Sequence, residues 1–213
     1  MRIAKLKTLA LAWLAASLAW SCAAVNPLDK DRQELNAAEV CCMSYEQFNF
    51  VPLNVGDSES LTINRSSPAF LFETGKSYFQ AFRLPVAKKP YAVIIQSHFI
   101  ESRTRSGTSY VFSPAVVFLD AGYRVTRRLD KGLNAAIGTG DSLGSANLEL
   151  QIRIDPRSTE ERFMVIYTTA TLLDKPTILG VYKYARGGTI EDHYPVPNAP
   201  VGELKVSLTS AIY

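Results

Sequence analysis

The chain has 213 residues, with 23 Lys+Arg against 20 Asp+Glu and a formal charge of +3. Three of those bases, Arg2, Lys5 and Lys7, stand in an acid-free stretch of 21 N-terminal residues, so the remainder carries 20 bases and 20 acids. That balance excludes the basic field that gathers nucleic acid or anionic lipid; ten Phe, ten Tyr and only 20% charged residues exclude wholesale disorder.

Residues 1–7 form a basic start, and residues 8–20 an apolar run too short to span a bilayer but of signal-peptide length. Ser21-Cys22-Ala23-Ala24 follows, a small residue before a cysteine that resembles the lipobox of bacterial lipoproteins, with Leu18 four positions ahead of the cysteine instead of three. Cys22 is therefore the candidate lipidation site, with plain cleavage after Ala23 or Ala24 as the alternative. Ala23 is compatible with the outer membrane. No later segment holds about 18 unbroken apolar residues, so nothing else is read as a helical span.

Residues 22–49 read as a tether or a short helix. Asn26 is a cap, Pro27 suits the first helical position, Asp29 and Asp31 fall in the first turn, and Leu28, Leu35, Ala38 and Cys42 share a face. Cys41 and Cys42 are adjacent. Three readings stay open for them: a vicinal disulfide forming a hard flat knob, two reduced buried thiols, or a bridge to another chain. Zinc is not expected, because His98 and His193 are the only histidines and no metal-ligand spacing occurs.

From Phe50 onward strands and turns alternate, and residues 50–213 read as one domain. Residues 60–64 place Leu61 and Ile63 on one face; 68–73 is a brief apolar run; 76–84 reads as one strand with Tyr78, Phe82 and Leu84 in phase. Residues 91–99 are β-branched and apolar like a central strand, with His98 half-exposed on the other parity. Residues 111–119 read as a strand bent at Pro114, and Asp120-Ala121-Gly122 as a hairpin turn into 123–129. Residues 130–145 hold four glycines and read as a loop. Residues 148–155 alternate, 162–169 are apolar throughout, 174–188 are ambiguous, 191–200 read as an extended surface segment with three prolines, and 203–209 alternate again. About nine short strands predict an all-β fold: a single β-sandwich, jelly-roll or immunoglobulin-like, with a short N-terminal helix or tether.

Two motifs invite catalysis. Gly140-Asp141-Ser142-Leu143-Gly144 fits a nucleophile elbow, but it lacks the strand before and helix after that expose the serine, and Ile190 stands where the related esterase family has its aspartate. Thr74-Gly75-Lys76-Ser77 matches the end of a phosphate loop, yet Phe70 replaces the required earlier glycine. Neither predicts an enzyme or a cofactor. Arg103, Arg105, Arg124, Arg127 and Arg128 would cluster only if neighbouring loops met. For sugar binding the candidate aromatics are Tyr110, Tyr123 and Tyr182, with Tyr45, Tyr184 and Tyr194 behind them.

Cys41-Cys42-Met43-Ser44-Tyr45-Glu46-Gln47-Phe48 followed by Pro52-Leu53 resembles the opening block of the maltose operon periplasmic protein family (MalM). Phe112-Ser113-Pro114-Ala115-Val116-Val117-Phe118-Leu119-Asp120 is similar to that family's Phe-x-Pro strand. Phe163-Met164-Val165-Ile166-Tyr167-Thr168-Thr169 is similar to its apolar strand ending in paired threonines, and Gly202-Glu203-Leu204-Lys205-Val206 to its closing strand. The resemblance spans residues 40–213. It implies an exported bacterial protein without known catalysis, linked to maltodextrin uptake across the outer membrane. Together with the export signal and the lipobox-like Cys22, the expectation is a non-enzymatic Gram-negative accessory anchored to the outer membrane, with maltodextrin or an outer-membrane porin as partner. An assembly lipoprotein that binds an envelope protein is the competing class, and a serine esterase using Ser142 the third.

Overall fold

The computed structural model of the chain describes residues 26–100, 109–130, 135–136, 147–185 and 188–210, with backbone only for 135–136, 180–185 and 188–192. The order is α1 (Pro27–Ala37), β1 (Val51–Pro52), β2 (Ser58–Ile63), β3 (Ala69–Phe72), β4 (Gly75–Tyr78), β5 (Gln80–Arg83), β6 (Tyr91–Ile100), β7 (Tyr110–Val111), β8 (Ala115–Leu119) and β9 (Val125–Leu129). It continues with β10 (Ala135–Ala136), β11 (Asn147–Ile154), β12 (Phe163–Tyr167), α2 (Ala170–Leu173), β13 (Thr177–Ala185), β14 (Gly188–Val196) and β15 (Gly202–Ser210).

A five-stranded sheet runs β1-β5-β12-β8-β9, and a six-stranded sheet runs β10-β11-β6-β15-β2 with β7 paired to β6. The two pack face to face as an all-β sandwich. Alternation supplies the six-stranded side: Val93 and Ile95, Ile152 and Ile154, Leu204, Val206 and Leu208 all point into one core. Phe82, Val116, Phe118, Met164 and Ile166 answer from the five-stranded side. In β8 and β12 every residue is buried. Their other parity, Ala115, Val117, Leu119, Phe163, Val165 and Tyr167, packs into a second core on the outer face of that sheet. Phe99, Val111, Leu148, Leu179 and Val196 make a third cluster, where the β13–β14 hairpin meets the six-stranded sheet.

Two expected strands divide. Residues 76–84 become β4 and β5, which belong to different sheets. Phe79 at the break faces the second core, whereas Tyr78 and Phe82 face the first. Residues 111–119 become β7 and β8, and the bend at Pro114 is where the chain crosses from one sheet to the other. The crossing is tight. A Cβ at Gly202 would lie 2.5 Å from the Cβ of Phe112, so any side chain there forces β15 and Phe112 apart. The surface segment expected over 191–200 is mostly β14, paired along its length with β13. Pro195 is tolerated because β14 is in a two-stranded sheet and has an open edge.

Of the helix and tether readings, the helix forms and docks. Asn26 caps it by accepting from the Leu28 amide at 3.1 Å, with Pro27 at its start. Leu28 and Leu35 are buried. The buried Asp31 accepts from Arg65 at 2.9 Å, Glu34 also pairs with Arg65, and Arg32 donates to the Leu173 carbonyl. The last turn holds no base of its own. Lys76 supplies one from β4, donating to the Asn36 and Ala38 carbonyls at 2.8 and 2.9 Å.

Gly202→Ala is expected to cost about 1–3 kcal/mol by overpacking against Phe112, read as a lower urea midpoint with an unchanged slope. Alkali supplies a second check. Burial, with Glu161 nearby, holds the Tyr91 hydroxyl from its ordinary 10.0 up to about 12. The unfolded chain then ionises this tyrosine first, so its stabilising contribution is complete below pH 10.0 and lost between there and about 12. Tyr91→Phe should flatten the fall of stability across that window in pH-jump denaturation.

Candidate functional site

The site is assembled from the residues that follow α1. The chain leaves the helix at Ala38 and runs beside β3, with Val40 bridging Ala69 and the Cys41 amide donating to the Ala69 carbonyl at 2.9 Å. Cys41 and Cys42 are joined by a disulfide between neighbours, with their Cα atoms 3.8 Å apart. The Met43 amide donates to the Gln47 side chain at 2.6 Å, and a single 3-10 turn, Tyr45–Gln47, reverses the chain. The result is a small closed knob on the surface. Cys41 is exposed and Cys42 is half-buried against the second core.

Under the knob the aromatic rings form one layer. Phe48 stacks on Phe79 at 4.1 Å, Phe72 stacks on Tyr167 at 4.0 Å, and Tyr45 leans on Phe70 at 5.5 Å. Farther along, Phe50 packs on Phe163 at 4.4 Å, and Tyr123 stacks on Phe163 at 4.8 Å. Tyr123 is held at φ 60, a left-handed conformation unfavourable for a bulky side chain. Asp120 keeps it there: its carboxylate accepts from the Gly122 and Arg124 amides at 2.8 and 2.9 Å. Those bonds, the Arg124 amide first, hold the Asp120 carboxyl below its usual range. The hairpin turn expected at Asp120-Ala121-Gly122 thus has its left-handed residue at Tyr123.

Arg128 and Glu73 form the polar rim of the layer. They pair through both guanidinium nitrogens, one contact at 2.8 Å, and Arg128 holds the Glu73 carboxyl below its usual range. Tyr45 is close enough to feel Arg128, although burial pushes its hydroxyl up. A half-buried tyrosine, Tyr45, near a planar guanidinium and a carboxylate brings together elements suited to a polyhydroxylated ring: an aromatic side chain for its C–H side and paired donors and acceptors for its hydroxyls.

The three predicted ligand aromatics stand on different parts of the chain. Tyr123 belongs to this outer layer. Tyr110 is half-buried in β7 of the other sheet, and Tyr182 lies in β13 with its side chain outside the described residues. Cys22, Ser142, Arg103 and Arg105 also lie outside the described residues. The remaining arginines make no basic patch: Arg124 pairs with Asp120, Arg127 with Glu161, and Arg128 with Glu73. Arg127 also lies 4.5 Å over the Phe118 ring, and burial pushes the carboxyl of its partner Glu161 up. The phosphate-loop tail has structural work instead. Gly75 adopts φ +113 at the β3–β4 turn, Lys76 caps α1, and Ser77 accepts from the Thr168 amide at 3.0 Å. Among the described residues no group of three or more His, Cys, Asp or Glu could hold a metal ion. Sequence reasoning missed the Glu73–Arg128 pair, whose members stand 55 residues apart.

The fold and this face define a β-sandwich domain with one aromatic outer layer and a polar rim. A family model described as maltose operon periplasmic protein precursor (MalM) matches residues 74–201, more than half of the chain, and the protein belongs to that family. It is a periplasmic, maltose-operon-associated protein by that membership. The match contains the Phe112–Asp120 and Phe163–Thr169 blocks; the cysteine block and the closing strand, counted in the resemblance over 40–213, fall outside it. The comparison with curated proteins gives no match.

A vicinal disulfide closes so short a loop that the chain-entropy relation credits it with only about 1 kcal/mol. The double variant Cys41→Ser/Cys42→Ser should therefore fold and lose about that much in urea unfolding. A loss several times larger would show that the knob carries the packing of Tyr45 and Phe48.

Proposed function

We propose that the protein is a non-enzymatic accessory of maltodextrin transport, anchored to the outer membrane through lipid on Cys22. Family membership over residues 74–201 carries this reading, and the Tyr45–Glu73–Arg128 rim supports it by offering chemistry suited to a sugar ring. The ligand would lie on the tyrosine face, with its hydroxyls meeting the Arg128–Glu73 pair and the Cys41–Cys42 knob as a hard wall beside it. Nothing in this arrangement requires a cofactor. A second reading, docking of an envelope protein such as a porin, is favoured by the exposed apolar residues Val40, Met43 and Leu71 around the same knob.

Titration calorimetry with a maltodextrin series is the test. Saturable heat with the natural chain, lost in Tyr45→Ala and in Arg128→Met, is expected. Silence of the folded natural chain would overturn sugar binding and favour the protein partner. Arg128→Met should leave folding nearly intact, because Glu73 is 75% exposed and a solvent-facing pair adds little to stability.

A further inference from the structure

We propose that the pole of the sandwich bearing α1 faces the lipid surface and that the opposite pole points away from it. This rests on the lipid-anchored reading of Cys22 given above, and it adds an orientation to that reading. A free tether over 22–49 would let the domain tumble at a distance from its anchor. The structure removes most of that tether, because α1 is docked from its first turn. Leu28 and Leu35 are buried, Asp31 and Glu34 are paired with Arg65, and Lys76 holds the C-terminal carbonyls. Only Ala23, Ala24 and Val25 separate Cys22 from the capping Asn26. Four Cα steps span at most about 14 Å when fully extended.

The register fixes which end of the molecule that is. Arg65, which grips α1, follows the end of β2 at Ile63, and Ile63 pairs with Gly202 at the start of β15. The last residues of β6 lie at this same end, where His98 pairs with Asn147 and Ile100 with Tyr110. At the other end Tyr91 pairs with Ile154 and with Ser210. The turn at 85–90 with Lys88, and the Asp155–Arg157 turn, stand there. The ten residues of β6 separate the two ends by about 30 Å. A spacer about half that length cannot bring the Lys88 end to the bilayer while α1 stays docked. The Tyr167 end of β12, with Tyr45 and Arg128 near it, lies toward the α1 pole, because β8 enters there from β7.

The experiment uses the full acylated chain in phosphatidylcholine vesicles containing a lipid with a nitroxide on its headgroup. A fluorophore is attached to Lys30→Cys in one sample and Lys88→Cys in another; both positions are exposed. Intact mass is measured on each sample first. The orientation predicts loss of emission at position 30 and none at position 88. It also predicts that a long Gly/Ser insertion between Val25 and Asn26 restores emission at position 30. Acylated protein whose two labels are quenched alike, or whose insertion variant keeps the difference, overturns the orientation alone. A chain that carries no acyl mass overturns the anchor, and the orientation falls with it.

Discussion

Two strands of five consecutive buried residues, Ala115–Leu119 and Phe163–Tyr167, give the middle of the five-stranded sheet no side that water can wet. Such a sheet needs two covers. The six-stranded sheet is one, and it is built economically from alternating strands with their own wet side. The other cover is assembled from pieces that form no large sheet: the β3–β4 hairpin, the 3-10 turn and the rings of Phe48 and Phe50. Everything distinctive about the surface follows from that second cover, including the cysteine knob above it and the Glu73–Arg128 rim beside it.

Magnitudes separate what holds α1 in place from what sets its position. Burying Leu28 and Leu35 is worth about 1.5–3 kcal/mol each, whereas the Arg65 pairs, at a half-exposed guanidinium, are screened by solvent and contribute less. The leucines therefore dock the helix, and Arg65 and Lys76 fix its rotation and its end. Asn198 plays a similar positioning part near α2: buried, it donates to the Leu172 and Lys175 carbonyls, both at 2.8 Å, and accepts from Thr177 at 2.8 Å.

Local patterns were readable wherever one local cause sufficed. The Asn26-Pro27 cap, the alternation of β11 and β15, the half-buried place of His98 and the apolar β12 all follow from neighbours in sequence. Legibility failed where a residue answers to something distant. Phe79 breaks the 76–84 run because a second core exists to receive it, and nothing local announces that core. Phe112 to Pro114 read as one bent strand because sheet crossing is a property of two sheets. The β13–β14 hairpin was hidden by Pro195, whose cost vanishes only at an open edge. For the candidate site, composition pointed to tyrosines but not to which of them share a face. Tyr123 and Tyr45 lie over one sheet and Tyr110 in the other, a separation made by topology alone.

The final strand, β15, does not sit at the margin of its sheet. It lies between β6 and β2, joining residues 91–100 to residues 58–63. A chain that emerges N-terminus first, from a ribosome or through a pore, therefore has nothing to link β2 to β6 until residues 202–210 follow. The β3–β4 and β8–β9 pairings are local, whereas those of β15 are non-local contacts of the kind that carry the larger loop-closure cost. The order of strands thus ties the six-stranded sheet together from segments more than a hundred residues apart.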